Sequence, residues 1–324
     1  MKKFLFVGDT NGNTGPANVN KGIVANLSDA FCIADSVNKV KKYINAFIGV
    51  VRCKVIVVSG MSKVGVYAIK LAKLLNKKTV YIMHGCYEME CALNESAVDE
   101  NSLQMEQYIL HSVDLLLPVS ERYSQIIQEK YPFCKGKTAY LHNGVEKINL
   151  EHGKVQREKG RIIAVGGDRK LKNNITVAKA MAKLGADRVL TVYGHLYHPN
   201  NLPQGKNIEF KGLVPQTQLY EEMQKSELYI LNSVYEPFAL SVYDALLCGC
   251  SVLITNVAGA LELLNVTEHD VIFDPMDENE IANKIDYLLE NLNNTRLMSS
   301  LDFNKISYKA EVEKLENYCN QLCN

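Results

Sequence analysis

Two carboxylates placed eight positions apart, Glu236 and Asp244, are the side chains in this sequence best suited to chemistry. Glu236 follows the apolar run 228–231 in a short loop, and Asp244 falls inside the helical run 240–248. A strand, a tight loop and a helix start in this order present free N–H groups and the positive end of a helix dipole. We therefore expect an anion-binding loop in which Glu236 faces a reacting centre and Asp244 reaches a diol such as a ribose.

A second loop supplies positive charge. Arg169, Lys170 and Lys172 follow the strand-like run 161–165, before a helix expected to begin near Asn174. Arginine offers a planar two-pronged contact and lysine a point charge, so this loop would suit a diphosphate. The alternative is a solvated turn, because lysines are common on protein surfaces.

A glycine-containing loop follows the first apolar run, residues 4–7. Gly12 and Gly15 permit backbone shapes that other residues resist, and Pro16 suits the first turn of a helix. A phosphate or a sugar could approach the amides of this loop closely. In isolation the pattern fits a plain turn equally well.

His84 ends the apolar run 80–83. A lone histidine after a strand usually caps an element or belongs to a core. Here it falls at a strand end, which is where a parallel sheet binds its ligands, and a functional role is therefore expected.

The elements that must position these groups are short apolar runs alternating with helical stretches. The alternation predicts parallel, doubly wound sheets of the α/β class, with ligands beyond the carboxyl ends of the strands. In the first half we expect strands at 4–7, 55–58, 80–83, 115–117 and 138–141, and in the second half at 161–165, 189–193, 228–231 and 252–254.

The length of 324 residues accommodates two domains with separate cores. The polar stretch 151–159 has the composition of a linker, which predicts domains at 1–150 and 151–302. The helical pattern from about 303 to 324 fits either a helix that joins the first domain or a plain end to the second.

Charge is distributed unevenly although the net charge is zero. Residues 1–150 hold 18 Lys and Arg against 13 Asp and Glu, which suits an anionic acceptor, an anionic membrane surface or a solvated face. The run 37–51 predicts a basic amphipathic helix, which could lie on anionic lipid but more often is a core helix with a wet lysine face. No nucleic-acid partner is expected.

The cysteines and the N-terminus predict a compartment. Nine cysteines include no C-x2-C pair, and the first apolar run is too short for a signal peptide or a membrane span. We expect reduced thiols and a cytoplasmic location, with at most peripheral contact with the inner face of the membrane.

Taken together, the motifs resemble the family-four retaining glycosyltransferases, also described as glycosyl transferases group 1. The segment 236–249 reads E-P-F-A-L-S-V-Y-D-A-L-L-C-G against the family's E-P-F-G-L-S followed by E-A-L-A-x-G. Ala239 replaces a frequent glycine and Asp244 a glutamate. His84-Gly85, the N-G-V at 143–145, and Arg169 with Lys172 occur in the family's order. The resemblance implies a GT-B fold, two facing Rossmann-like domains with an interdomain cleft.

The resemblance also implies an activity. A sugar would move from a nucleoside-diphosphate sugar, with UDP favoured, to a hydroxyl of a glycan, lipid-linked or protein acceptor, with retention of anomeric configuration. No D-x-D motif is present, so no metal or other cofactor is expected and the cations and a helix N-terminus would stabilise the leaving group. The expected catalytic residues are Glu236, His84, Arg169 and Lys172, and the expected donor-binding residues are Gly15, Val214, Phe238, Ala239, Leu240 and Asp244.

Within this assignment, His84 would contact the donor sugar, and the loop at Val214 would hold the base through backbone groups. Glu262 resembles a further donor-facing glutamate, more weakly. Two other functions share the fold: a non-catalytic partner subunit of another glycosyltransferase, and a sugar-nucleotide 2-epimerase. For the pathway, assembly of bacterial cell-surface polysaccharide or glycoprotein is expected.

Overall fold

The computed structural model describes residues 3–12, 14–34, 36, 38–148 and 155–323. The chain divides into two compact units, Met1–Glu146 with Phe303–Asn324, and Lys147–Asp302. The predicted boundary near residue 150 and residues 151–154 of the expected linker lie outside the described residues.

The first unit is built on a five-stranded sheet in the order β2-β1-β3-β4-β5, with every described pairing parallel. Its central strands are apolar and buried on both faces, as a sheet covered by helices on each side requires. The strands are β1 (Phe4–Gly8), β2 (Phe31–Ile33), β3 (Val55–Ser59), β4 (Lys78–Met83) and β5 (Leu115–Pro118).

Six helices connect these strands or follow the last one. Several begin at a side chain that accepts a hydrogen bond from the first turn, for example Ser120, which accepts from the Tyr123 amide at 3.1 Å. The helices are α1 (Gly15–Asn26), α2 (Lys39–Arg52), α3 (Lys63–Leu74), α4 (Tyr87–Asn94), α5 (Glu100–Ser112) and α6 (Glu121–Lys130).

Two details of the first sheet differ from the sequence prediction. The stretch 138–141 is not a strand; it forms one isolated bridge, between Thr138 and Leu116, beside β5. Conversely, β2 was not expected, because its three residues give too short an apolar run to stand out. Both differences fall at the edges of the sheet, where fewer neighbours constrain the chain.

The C-terminal segment packs within the first unit. It contains α12 (Phe303–Ile306) and α13 (Tyr308–Gln321), and α13 lies against α1. The Val145 amide donates to the Ile306 carbonyl at 2.8 Å. A β-carbon on Gly22 would lie 2.3 Å from the ring of Tyr308, so only glycine allows this close approach.

The second unit is built on a six-stranded parallel sheet in the order β11-β10-β9-β6-β7-β8. Its strands are β6 (Arg161–Val165), β7 (Val189–Tyr193), β8 (Ile208–Lys211), β9 (Leu228–Leu231), β10 (Ser251–Thr255) and β11 (Val271–Ile272). Its helices are α7 (Asn174–Met181), α8 (Gln216–Lys225), α9 (Leu240–Leu247), α10 (Glu278–Glu290) and α11 (Asn294–Ser300). The core forms where α7 and α10 pack on one face of this sheet. The prediction of an α/β protein with two parallel sheets is confirmed.

The longest described helices, α2 and α13, have 14 residues each. A helix that crosses a bilayer needs about 20 mostly apolar residues. Nowhere in the described chain is a helix both long and apolar enough for that.

Candidate functional site

The order of the second sheet reverses between β6 and β9. From β6 the chain continues to β7 and β8 on one side, and from β9 to β10 and β11 on the other. The loops that leave two such neighbouring strands diverge and open a crevice at their carboxyl ends, where ligands bind in open α/β sheets. Lys172 lies in the loop after β6 and Glu236 in the loop after β9, so both expected residues occupy this switch point.

Lys172 and Glu236 form an ion pair at this point. The Lys172 ammonium donates to Oε2 of Glu236, and both side chains are mostly buried. The Ser233 hydroxyl donates to the same oxygen at 3.2 Å. No described group donates to Oε1 of Glu236. One carboxylate oxygen is therefore fixed by the protein, and the other is available to a ligand hydroxyl.

Two buried asparagines hold the loops that carry this pair. Asn173, next to Lys172, adopts a left-handed conformation (φ 52°) and donates from Nδ2 to the Pro275 carbonyl at 2.6 Å. Asn232, which directly follows β9, donates to the same carbonyl at 3.0 Å. The loops after β6, β9 and β11 thus meet at Pro275, and this convergence sets where Lys172 and Glu236 can lie. Sequence reasoning missed Asn173, Asn232 and Ser233.

Arg169 lies at the start of the short 3-10 helix that ends at Lys172. Its side chain is exposed, and no ion pair or hydrogen bond joins it to another side chain in the described part of the protein. The neighbouring Asp168 does not pair with Arg169. Its carboxylate accepts hydrogen bonds from the backbone amides of Tyr197 at 2.7 Å and His198 at 2.6 Å. Asp168 therefore fixes the loop after β7, and Arg169 is left for a ligand.

The N-terminus of α9 lies directly after Glu236. No described side chain caps this helix, so its first N–H groups can bind an anion. Ala239 precedes it with φ 78°, in the left-handed region that favours glycine. Phe238 is buried and stacks on Tyr243. Of the three expected donor-binding residues here, Phe238 has a structural side chain, whereas Ala239 and Leu240 offer backbone groups.

Asp244 lies one turn further along α9. Burial raises its pKa from 3.8 to about 7, and a hydrogen bond with Tyr220 opposes this shift. The carboxyl group is therefore only partly ionised near neutral pH. A donor hydroxyl placed against it would favour the ionised form.

Tyr229, on β9, lies near both acidic groups of this segment. Its hydroxyl donates to the Ser241 hydroxyl at 2.7 Å. Burial raises the pKa of Tyr229, and the charges of Glu236 and Asp244 raise it further. Both carboxylates thus lie within electrostatic range of one phenol.

Two further expected residues lie on loops of this unit. Val214 is half-buried between β8 and α8. Since β8 is two strands from β6, Val214 lies roughly 10 Å to one side of the Lys172 loop. Glu262 is exposed in the short 3-10 helix Gly259–Leu263.

The first unit contains a cavity of about 320 Å³. It opens at the carboxyl ends of β1, β3 and β4, next to the N-terminus of α1. This is also a switch point, because the strand order reverses between β1 and β3. The polar groups that line it include Asp9, Thr14, Ser59, His84 and Glu90.

His84 is held in one tautomer by a chain of hydrogen bonds. Asn20 donates from Nδ2 to the Asp9 carbonyl at 3.0 Å, and its Oδ1 accepts from the Ser59 hydroxyl at 2.6 Å. The Ser59 hydroxyl has one proton, which it donates to Asn20. It therefore accepts a hydrogen bond from Nε2 of His84 at 2.9 Å. Burial lowers the pKa of His84 to about 4. The ring is therefore neutral at pH 7, with Nδ1 left as an acceptor.

Gly15 is the first residue of α1 in this unit. Thr14 caps the helix by accepting from the Ala17 amide at 3.3 Å. A β-carbon on Gly15 would have no protein atom within 4 Å. Packing does not require glycine here, and the open space is consistent with a ligand close to the backbone.

Acidic residues that follow His84 lie in helices α4 and α5 and have different partners. Glu88 is engaged by the protein: it accepts from Tyr131 at 2.7 Å and Lys130 at 2.8 Å, and Lys130 contributes most to its lowered pKa. Glu106 caps α4, accepting from the Tyr87 amide at 2.6 Å. Of the residues of α4, Tyr87 and Glu90 line the cavity.

Within the described ranges, no group of three or more His, Cys, Asp or Glu side chains is arranged to hold a metal ion. The charges available at the second-unit site are the side chains of Arg169, Lys172, Glu236 and Asp244 and the dipole of α9. This set can bind a diphosphate beside a polyhydroxyl group.

Comparison with known proteins agrees with this geometry. Residues 147–300 match the family described as Glycosyl transferases group 1. The match covers nearly all of the second unit, and the resemblance identified from the sequence is confirmed.

Two curated relatives are similar to parts of this chain. The N-acetylgalactosamine-N,N'-diacetylbacillosaminyl-diphospho-undecaprenol 4-alpha-N-acetylgalactosaminyltransferase of Campylobacter jejuni is 24% identical over 238 residues, 69% of this chain. Mannosylfructose-phosphate synthase of Agrobacterium fabrum is 22% identical over 170 residues, 51% of this chain. The chain spans 64% and 35% of these relatives' own lengths.

Among solved structures, HepE of Anabaena in complex with UDP and glucose is similar over nearly the whole chain. The TM-score is 0.71 at 15% sequence identity, covering 99% of this chain and 100% of HepE. The similarity shows the GT-B fold that the sequence predicted.

Proposed function

We propose that this protein is a glycosyltransferase that moves a sugar from a nucleoside-diphosphate sugar, with UDP favoured, to a hydroxyl of a lipid-linked or other glycan acceptor. The observation that carries the proposal is the Lys172–Glu236 pair at the switch point of the second sheet. The pair places a cation for a diphosphate beside a carboxylate for a sugar.

Stabilisation of the departing diphosphate is the main task of the second unit. Lys172 has three N–H donors and uses one on Glu236, so the others can contact phosphate oxygens. Arg169 is exposed three residues earlier and adds a planar two-pronged contact. The uncapped N-terminus of α9 adds fixed dipoles. Such preorganised charge is worth most where leaving-group charge develops.

In this reaction the bond between the anomeric carbon and the phosphate oxygen breaks as the bond to the acceptor oxygen forms. The acceptor's hydroxyl proton leaves with the departing diphosphate. We propose that the acceptor attacks from the leaving-group side, so that the product retains the donor's anomeric configuration. Glu236, through its unshared Oε1, would hold sugar hydroxyls and support the positive charge on the ring. Asp244 would bind the ribose diol.

The cavity of the first unit we assign to sugar and acceptor hydroxyls. Neutral His84 offers Nδ1 as an acceptor, and Glu90 offers a carboxylate. The curated relative from Campylobacter jejuni is named for a diphospho-undecaprenol acceptor, which supports a lipid-linked glycan here. Assembly of a cell-surface polysaccharide or glycoprotein is the corresponding pathway.

Metal independence and a cytoplasmic location are parts of the same proposal. The cations named above would take the place of a metal on the diphosphate. All nine cysteines are free thiols, as a reducing compartment favours. If transfer does not require a metal ion, the enzyme should keep its full activity in excess EDTA.

The deciding experiment begins with donor binding. UDP-, GDP- and TDP-sugars, including UDP-N-acetylgalactosamine and UDP-glucose, are compared by thermal shift. A donor at a hundred times its Kd should stabilise the native state by about 2.7 kcal/mol. UDP release is then followed with and without a polyprenyl-diphosphate sugar acceptor.

The result separates the three functions that share this fold. A transferase releases UDP rapidly only when the acceptor is present, and NMR of the product reports the anomeric configuration. A 2-epimerase would change the donor sugar without any acceptor. A non-catalytic subunit would leave both donor and acceptor unchanged, and that outcome would reject the proposal.

A further inference from the structure

Helix α2 of the first unit presents large apolar side chains to solvent. Val40, Ile44, Phe47, Ile48 and Val51 recur at helical spacing and are between 40 and 69% exposed. Singly exposed apolar residues are ordinary, but a continuous stripe along one helix marks an interaction surface. We call this stripe the α2 surface.

The opposite face of α2 explains why the stripe points outward. The helix packs on the sheet through small or short side chains, Ala46, Gly49 and Val50, which are all buried. A β-carbon on Gly49 would lie 2.4 Å from Leu5 of β1, so the helix approaches the sheet very closely. One face of α2 therefore packs on the core and its lysines are exposed, as expected of a core helix, while its larger apolar residues lie on the exposed face as well.

The charges around the α2 surface are mostly positive, and the acidic partner described for this helix is Asp9, 4.0 Å from Lys42. Lys39 and Lys41 flank the stripe at its start and Arg52 at its end, and all three are exposed. From residue 36 to residue 87 the sequence has ten Lys and Arg and no Asp or Glu. This range includes α3, which packs against α2. The apolar stripe thus lies beside a predominantly basic region, in which Lys42 and Lys73 pair with Asp9 and Asp114.

This combination selects among possible partners. A second copy of the chain packed on the α2 surface by two-fold symmetry would bring basic flanks against basic flanks. An anionic lipid bilayer takes both features at once: the apolar side chains enter the acyl boundary and the cations remain at the phosphate level. We propose that the α2 surface docks this protein in the interface of an anionic bilayer, with the axis of α2 parallel to the membrane plane.

Vesicle flotation tests the proposal without any assay of activity. The full chain is mixed with vesicles of phosphatidylglycerol and phosphatidylcholine in equal amounts, and with vesicles of phosphatidylcholine alone. The protein should float with the anionic vesicles, less so at high salt, and not with the neutral ones. Ile44→Ser with Phe47→Ser should lower the partition constant at least about tenfold, because two apolar anchors are lost.

A charge variant tests the other component. Lys39→Glu with Lys41→Glu should weaken binding by about fivefold or more per residue and reduce its salt dependence. Leu292→Ser is the matched control for the apolar variant, since Leu292 is 52% exposed in the second unit, and it should bind as wild type does. Thermal unfolding checks that each variant folds. If the Ile44→Ser, Phe47→Ser variant does not fold, the Lys39→Glu, Lys41→Glu variant tests the proposal instead.

Three results would overturn the proposal. They are absence of wild-type flotation at low salt, equal binding to neutral and anionic vesicles, and unchanged binding of the Ile44→Ser, Phe47→Ser variant. A lipid-free dimer that this variant dissociates, seen by sedimentation, would identify a second copy as the occupant instead. UDP binding, measured separately on the same preparations, shows that these outcomes are independent of the proposed transferase activity.

Discussion

The ammonium of Lys172 donates to Oε2 of Glu236 across 64 residues of sequence, where the strand order of the second sheet reverses. The contact couples the group proposed to hold the diphosphate to the group proposed to hold the sugar. Because Ser233 binds the same oxygen and the two loops meet at Pro275, the pair is placed before a ligand arrives. Preorganisation of this kind is what makes fixed charge effective in catalysis.

Removing the charge of either partner should therefore slow transfer more than it weakens donor binding. For Lys172→Met and Glu236→Gln, which preserve side-chain length, we expect kcat to fall on the order of a hundredfold. The double variant should lose less than the product of the two effects, because the residues act as a unit. Steady-state UDP release with the best-binding donor measures all three.

Lys206→Met serves as the control, since Lys206 is an exposed lysine of the same unit. It should leave kcat unchanged. Full turnover by Lys172→Met would contradict the assignment of the leaving-group cation, and additive effects in the double variant would contradict the coupling.

Asp244 should make the stability of the second unit depend on pH. Its pKa is about 7 in the native state, against an ordinary value of 3.8, because it is buried. Between those values the native state holds a proton that the unfolded chain has lost, so the free energy of unfolding falls as pH rises from about 4 to about 7. In Asp244→Asn the free energy of unfolding should not fall over this pH range. The difference from wild type should be on the order of a few kcal/mol above pH 7. Urea unfolding at pH 4.5 and pH 8 measures it.

The same carboxyl group links pH to donor binding. If a ribose hydroxyl donates to ionised Asp244, the affinity for UDP should rise between pH 6 and pH 8 more steeply in the wild type than in Asp244→Asn, where only the terminal phosphate of UDP, with a second pKa of about 6, titrates. Calorimetry with UDP gives both affinities. An identical pH profile for wild type and variant would place the ribose elsewhere.

The sheets were predictable because buried parallel strands are apolar throughout, and runs such as Phe4–Gly8 and Val55–Ser59 are therefore visible in the sequence. The three residues of β2 could not be predicted as a strand, since so short an apolar run is common in loops. The stretch 138–141 has strand-like composition, but composition does not reveal that it makes only one bridge.

In the site, Glu236 and Lys172 were predictable because a charged residue after a strand is a readable pattern. Asn173 and Asn232 look like ordinary turn residues in sequence. Their role becomes visible only when three loops, far apart in the chain, meet at the Pro275 carbonyl. The exposure of the apolar face of α2 was also hidden, because periodicity identifies an apolar face but not whether anything covers it.

Ala239 offers a test of local strain at the start of α9. With φ 78° it occupies a region that costs an alanine roughly 1 kcal/mol and a glycine little. Ala239→Gly should therefore leave stability unchanged or raise it by up to about 1 kcal/mol, despite the greater freedom of glycine in the unfolded chain. Ala239→Val should destabilise by more than about 1 kcal/mol, because a branched side chain resists this conformation.

Ala245→Gly is the matched control, within the same helix. It should destabilise by about 1 kcal/mol, as glycine does in a helix interior. Urea unfolding of the three variants gives the comparison. Equal losses for Ala239→Gly and Ala245→Gly would show that residue 239 is not strained.

His84 should make the first unit acid-sensitive. Burial lowers its pKa from 6.5 to about 4. Between pH 4 and pH 6.5, the histidine is therefore protonated in the unfolded chain but neutral in the native protein. The free energy of unfolding should then fall as pH drops from about 6.5 to 4, by up to about 3 kcal/mol. His84→Gln should remove this dependence, whereas His198→Gln, at an exposed position of the second unit, should retain it. Urea unfolding at pH 5 and pH 7.5 distinguishes them, and equal acid sensitivity in both variants would mean that His84 is protonated in the folded protein.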